Sequence, residues 1–299
     1  MSQLCYVTGA SGFLGGHICA ALLQAGLKVV AVSRIGTHIL GAENLRVANY
    51  SELAPEKNSI LVHLAETNLI QAIDGSRIVA QHALLAALMS KPFSKIIYAS
   101  SLAVYPTDTE TPHREEEDLT CLDTKDDYRR AKLGAERMLM ADQGRAHLML
   151  RFVTLYGRGM SPDTLLMTIW KQLNGQPAQT DPSMAENRHI TVALRNLNVT
   201  RDFLCVQDAA AAVVAAIKTP QSGIFNIGSG EGLRLAQVFD IMVSEMNLAD
   251  RNPALLESVP GSPESLLVLD ITKARELLGW FPKIGFREGI REFLQQAKS

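Results

Sequence analysis

Apolar and polar positions follow two periods along this chain. Short apolar runs at 4–7, 28–32, 45–47, 60–64, 95–99, 148–152 and 224–227 have the length of buried strands. Between them, apolar residues recur every three or four positions, first from Phe13 through Leu14, Ile18, Ala21 and Leu22. The same spacing returns over 78–89, 128–139 and the alanine-rich 208–217, and each such stretch predicts a helix with one buried face. Strand alternating with helix predicts an α/β fold, a doubly wound parallel sheet with right-handed crossovers. Further helices are expected around 235–246, 272–278 and 286–297. Over 157–195 the period breaks up, with Pro162, Pro177 and Pro182 among polar residues. An irregular stretch of that length in a compact protein is often functional, and most of a substrate pocket is expected there.

Between the first strand and the first helix the chain reads Thr8-Gly9-Ala10-Ser11-Gly12-Phe13-Leu14-Gly15. A turn that delivers free N–H groups and the positive end of a helix suits a pyrophosphate. One glycine serves the tight turn, one the close approach of phosphate, and one the packing of helix on strand. The second strand ends in Ser33-Arg34. A carboxylate roughly 20 residues past the glycines would take the ribose hydroxyls of NAD. A hydroxyl and a guanidinium suit a 2′-phosphate instead, so NADP(H) is favoured and NAD(H) remains an alternative. A plainer reading of Arg34 is a solvated loop residue.

Composition narrows the partners. With 47% hydrophobic and 20% charged residues, 299 residues can bury a full core in one large domain or up to two ordinary ones. A net charge of -2 argues against nucleic acid as a partner. Cys5, Cys19, Cys121 and Cys205 have no paired spacing, so neither a disulfide framework nor a metal site is expected, and a reducing cytoplasm fits. The longest wholly apolar run, 209–217, is far short of the ~20 residues of a membrane span. The first strand starts at once, leaving no signal peptide.

The candidate chemistry sits on the helix that begins near Tyr128. Tyr128 and Lys132 are four apart and share one face, and Asp126 is placed to cap the helix. An adjacent ammonium favours the phenolate and lowers a tyrosine pKa, which makes Tyr128 a proton donor and acceptor. Ser100 and Ser101 end the fifth strand, where ligands of an open parallel sheet lie, and both hydroxyls are expected to face the crevice. His63 lies within an apolar run and reads as structural.

The glycine loop, S-S-L-A-V-Y at 100–105, Y-R-R-A-K at 128–132 and L-R-F-V-T-L-Y-G at 150–157 follow one another. R-D-F-L-C-V-Q-D at 201–208, F-N-I-G-S-G-E-G at 225–232 and D-I-T-K-A-R-E-L-L-G-W-F-P at 270–282 complete the series. In that order they resemble the extended short-chain dehydrogenase/reductases that act on nucleotide sugars, the epimerase/dehydratase group. The likeness spans nearly the whole chain and is weakest over 157–195. It implies a Rossmann-like NADP-binding domain over 1–156 plus about 203–227. A smaller C-terminal α+β lobe, 157–202 and 228–299, would bind the nucleotide sugar. Cofactor contacts would come from Thr8, Gly9, Ser11, Gly12, Phe13, Leu14, Gly15, Ser33, Arg34, Leu64, Ala65, Tyr128 and Lys132. Tyr128 would transfer the proton, Lys132 would lower its pKa and anchor the ribose, and Ser101 would orient the reacting oxygen. Arg201 would meet the diphosphate, the alternative being a salt bridge with Asp202. Similar enzymes pair through two helices, so a homodimer is compatible.

Departures from the group narrow the reaction. Leu102-Ala103 stand where dehydratases of the group carry Asp-Glu. Fucose-synthase-like enzymes keep a cysteine at the position of Ala103 and a histidine soon after the Tyr-Gly, and 157–161 contain none. Without those acids and bases, hydride transfer at a carbinol or ketone is what remains. The resemblance then implies a 4-ketoreductase of a nucleotide-linked 4-keto-deoxysugar, with a 4-epimerase as alternative. A non-catalytic NADP-sensing protein is a third reading, against which the Tyr–Lys pair counts. Glu66 replaces a usual second small residue, and Ser262 stands near the place of a phosphate-gripping arginine.

Overall fold

The computed structural model describes residues 3–66, 75–107, 109–119, 126–174, 190–195, 199–248, 254–259 and 265–297. Cys121, Pro177, Pro182 and Ser262 lie outside these residues. All seven predicted strands enter one parallel sheet. They are β1 (Leu4–Thr8), β2 (Lys28–Ser33), β3 (Glu43–Arg46), β4 (Ile60–His63), β5 (Lys95–Ser101), β6 (Ala146–Phe152) and, after three strands that belong to two smaller sheets, β10 (Gly223–Ile227). Their order is β10-β6-β5-β4-β1-β2-β3. The chain therefore builds outward from β1 on one side, crosses back, and builds outward from β4 on the other. In such a sheet the ligand crevice opens beyond the strand ends at the reversal, here between β1 and β4.

Period-two alternation divides the sheet between two cores. Cys5, Val7, Ala31, Val62 and Ile97 face Ile18 and Leu22 of α1 (Phe13–Gln24) and Val213 of α5 (Val206–Lys218). Tyr6, Val30, Val32, Leu61 and Ile96 face Leu85 and Leu88 of α2 (Gly75–Met89) and Ala135 and Leu139 of α3 (Asp127–Ala141). Helices on both faces of a parallel sheet are what bury it.

A third core gathers the later elements. Strand β9 (Val199–Cys205) pairs with β7 (Thr154–Tyr156), β11 (Gly232–Arg234) and β13 (Ser265–Leu267). Phe203 and Tyr156 pack there with Leu235, Phe239 and Met242 of α6 (Leu235–Glu245) and with Ile290 and Leu294 of α8 (Phe286–Ala297). The helix α7 (Thr272–Leu278) ends at Gly279 in a left-handed conformation, φ 62°.

The irregular stretch expected over 157–195 is corrected in part. Residues Leu165–Asn174 form α4, which buries Leu166, Ile169 and Leu173 at helical spacing. Leu165, Met167 and Trp170 pack at the edges of the same face, and it is the prolines and polar residues flanking this short helix that break the period there. Ile190–Arg195 forms β8, parallel to β12 (Ala254–Val259), a pairing distant in sequence. Cys5, Cys19 and Cys205 are buried free thiols; burial pushes the first two up to about 12 and Cys205 to about 11. Among the described residues no helix is long and apolar enough to cross a membrane, and no side-chain group could hold a metal ion.

Candidate active site

The glycine turn is built for backbone alone. Gly9 takes φ 73°, and a Cβ there would lie 3.0 Å from Ala65 N at the end of β4. A Cβ on Gly15 would sit 2.2 Å from Gly9 O, so only hydrogen allows α1 to start so close to β1. Gly12 caps α1 without any side-chain hydrogen bond, and the first turn carries no acidic residue. A Cβ at Gly12 would meet nothing but Gly9 O and would otherwise project into free space. The N-terminal N–H groups of α1 are thus left for an anion, and a pyrophosphate fits this cradle.

Thr8 is fully buried and braces the two strands that flank the crevice. Its hydroxyl accepts from Leu64 N at 3.3 Å and Ala65 N at 3.4 Å and shares a 2.8 Å hydrogen bond with His63 Nδ1. Burial lowers His63 to about 4, so it is neutral and structural, as its place in an apolar run suggested. At the end of β2, Ser33 Oγ donates to Ser11 Oγ at 3.0 Å, joining the strand to the glycine turn. Arg34 is exposed beside them, its guanidinium carbon 5.8 Å from the centre of the Tyr50 ring. Sheet register places Arg46 opposite Ser33, and Arg46 Nε donates to Arg34 O at 3.2 Å. Two exposed guanidinium groups therefore stand at this strand end, and the second is visible only through strand pairing.

Helix α3 is locked to the end of β5. Asp126 caps it by accepting from Tyr128 N at 3.0 Å and Arg129 N at 3.2 Å. Arg129 donates to Ala103 O at 2.8 Å and Tyr105 O at 2.7 Å, just past Ser101. Lys132 Nζ donates to Ala99 O at 2.5 Å, just before Ser101. Helix and strand end thus hold Tyr128, Lys132 and Ser101 in one neighbourhood, with the ammonium 5.6 Å from the centre of the Tyr128 ring. Ser101 Oγ accepts from Ala103 N at 3.2 Å, which leaves its own O–H to donate. Ser100 is a correction: its hydroxyl does not face the crevice but donates to Glu136 Oε1 at 2.5 Å in the interior. Neighbouring residues of a strand point to opposite faces, so two successive serines do not share one. Glu136 is in turn held by Arg151 through bonds of 2.9 and 2.7 Å.

Glu66, noted only as a departure in the sequence, also enters the site. Its carboxylate pairs with Lys132 Nζ at 2.5 Å and accepts from Tyr98 OH at 2.5 Å. Burial alone would pull the Lys132 pKa down; Glu66 and then Tyr128 outweigh it and hold the group above its ordinary value.

Arg201 lies on β9, where Nη1 donates to Thr200 O at 3.0 Å and to Ser265 Oγ at 3.0 Å. The alternative pairing with Asp202 does not occur. Asp202 points the other way and accepts from Ser229 N at 2.8 Å, Ser229 Oγ at 2.6 Å and Gly230 N at 3.2 Å. Among the described residues Arg201 has no carboxylate partner, and burial lowers its pKa. A cleft of about 870 Å³ lined by Thr109, Arg114, Gly230, Asp270 and Arg275 contains none of the groups around Tyr128.

The family described as "NAD dependent epimerase/dehydratase family" matches residues 5–228. The chain is 24% identical to UDP-glucose 4-epimerase of Halalkalibacterium halodurans, over 93% of this chain and 90% of that protein. It is 26% identical to GDP-6-deoxy-D-mannose reductase of Pseudomonas aeruginosa, over 100% of this chain and 98% of that one. Among solved structures, UDP-N-acetylglucosamine 4-epimerase from Bacillus cereus superposes with a TM-score of 0.79 at 25% identity. That likeness covers 100% of this chain and 97% of the other.

Proposed function

Because the chain belongs to the NAD-dependent epimerase/dehydratase family, extended short-chain dehydrogenase/reductases of nucleotide-sugar chemistry, we propose that it is a 4-ketoreductase of a nucleotide-linked 4-keto-deoxysugar. The observation that supports this reading is the clamp of α3 on the end of β5, which ties the helix bearing Tyr128 and Lys132 to the strand that ends in Ser101. NADP(H), when bound, supplies the hydride. Gly9, Ser11, Gly12, Phe13, Leu14 and Gly15 would hold its pyrophosphate, Arg34 its 2′-phosphate, and Leu64 and Ala65 its passage along the crevice; Ser33, fully buried and bonded to Ser11 and Gly36, would instead fix the strand end that presents Arg34. Lys132 and Tyr128 would flank the nicotinamide ribose, with Thr8 bracing the strands beneath.

Ser101 donates a hydrogen bond to the ketone oxygen and orients it. Tyr128 gives its phenolic proton to that oxygen as the carbinol forms, a contribution of roughly 10² to 10⁴ in rate. Lys132 holds the phenol in place and favours its ionised product. Arg201, half-buried and without a carboxylate partner, would take the sugar-linked diphosphate. Residues 1–156 with about 203–227 would serve the cofactor, and 157–202 with 228–299 the nucleotide sugar. Leu102 and Ala103, in the turn after Ser101, carry no group that moves a proton, which disfavours dehydration.

A second reading is favoured by the names of relatives, since two of the three described above are 4-epimerases. The two readings separate in one assay of NADPH oxidation against 4-keto sugars carried on dTDP, CDP, GDP and UDP. Consumption of NADPH with one of these substrates supports the reductase. Co-purifying NAD(H) with interconversion of 4-hydroxy sugars in the absence of reductant replaces it with the epimerase. Cofactor binding with no conversion of any sugar sinks both and leaves the NADP-sensing protein.

A further inference from the structure

Glu66 follows β4 at the point where the strand order reverses, so it stands beside the crevice without belonging to the glycine turn. One carboxylate oxygen takes Lys132 Nζ at 2.5 Å and the other takes Tyr98 OH at 2.5 Å. The ammonium also donates to Ala99 O, and the rings of Tyr98 and Tyr128 flank it at 4.9 and 5.6 Å. The Lys132 side chain is 5% exposed and that of Glu66 17%, so solvent screens this pair little.

We propose that Glu66 is a positioning residue of the proton-transfer site: its carboxylate clamps the Lys132 ammonium between β4 and β5 and, through that ion pair, sets the pH at which Tyr128 ionises. The inference rests on the reading in which Tyr128 and Lys132 form the proton-transferring pair.

An anion raises the proton affinity of every group near it. Phenol and ammonium are a coupled pair, so beside Glu66 both keep their protons to higher pH than beside a small side chain. The other groups around Lys132 are already balanced. Glu136, one turn along α3, is held by Arg151 and Ser100. His63 on β4 is bonded to Thr8, and His82 on α2 to Ala131 O at 2.9 Å. Tyr98 donates to Glu66 and is kept neutral by burial and by that carboxylate. Among the described residues Glu66 is therefore the carboxylate whose charge bears on Tyr128 through Lys132.

The test uses the free protein and needs neither cofactor nor sugar. Tyrosinate absorbance is followed against pH, and the part due to Tyr128 is isolated by subtracting the Tyr128→Phe titration. Glu66→Gln and Glu66→Ala are expected to lower the Tyr128 midpoint by about one pH unit, a tenfold change in proton affinity. Glu66→Asp, which keeps the charge, is expected to recover part of that shift. A role confined to packing would move the melting temperature and leave the midpoint where it was. A folded Gln variant with the wild-type midpoint overturns the proposal. If the Gln variant does not fold, the Ala variant decides by the same criterion, since a small residue is the usual occupant. A shifted midpoint in a protein that converts no nucleotide sugar would reject the proposed function and keep only the electrostatic link from Glu66 through Lys132 to Tyr128.

Discussion

At the scale of single residues, chemistry divides between groups that react and groups that hold them. Tyr128 reacts on the proposed reading, while Arg129, Glu66 and Asp126 hold it or its partner. Tyr128→Phe keeps the ring and removes the proton, so turnover is expected to fall by about 10² or more while NADPH affinity, read by fluorescence titration, changes little. Turnover within a few-fold of wild type would reject the assignment. Arg34 is exposed at the end of β2 and faces no carboxylate among the described residues. A charge-assisted bond to a phosphate contributes roughly 1.5–3 kcal/mol, so Arg34→Ala should weaken NADPH about tenfold or more and leave NADH nearly unchanged. Equal losses for both cofactors would refute the 2′-phosphate role. Most of these residues were legible in the chain. The partners of Glu66 were not, because one lies on β5 and the other on α3, and nothing local to 60–66 indicates either.

Elements carry the next level of the argument. The α3 helix was visible from its formers and its cap, and the structure adds what the cap does: Asp126 orders the turn on which Tyr128 sits. Asp126→Ala is expected to cost about 1 kcal/mol in urea denaturation, and turnover should fall along with it because that turn frays. Unchanged stability would show that Arg129 alone fixes the helix start. The strands of the main sheet were equally legible, each being a short apolar run between polar turns. The α4 helix was not, since it is short and lies between prolines and polar stretches that break up the period around it. Nor was β8, whose partner β12 is far along the chain; pairing of that kind is a property of the folded molecule.

Across the whole molecule, two buried titratable groups oppose one another. Burial raises Asp202 from its ordinary 3.8 to about 6, despite its bonds to Ser229, Gly230 and Leu269. Its contribution to stability is complete below the unfolded value and is lost as pH rises through 6. Burial lowers His63 from 6.5 to about 4, so its contribution is complete above the unfolded value and is lost as pH falls through 4. Each shift is worth roughly 3 kcal/mol, and between pH 4 and 6.5 the two largely cancel. Asp202→Asn removes one side, so its melting temperature should drop more steeply from pH 6.5 to 4 than that of wild type. Parallel curves for the two proteins would contradict the assignment.

The order of strands and helices, the glycine turn and the pair on α3 were determined by the sequence alone, because each depends on contacts within a few residues. Periodicity and glycine geometry are local properties, and they survive being read without a fold. Tertiary structure alone decided that Ser100 turns inward, that Arg201 and Asp202 part company, and that Glu66 closes on Lys132. Those outcomes depend on which strands lie side by side and which face of each is buried, and both are settled only when distant segments pack.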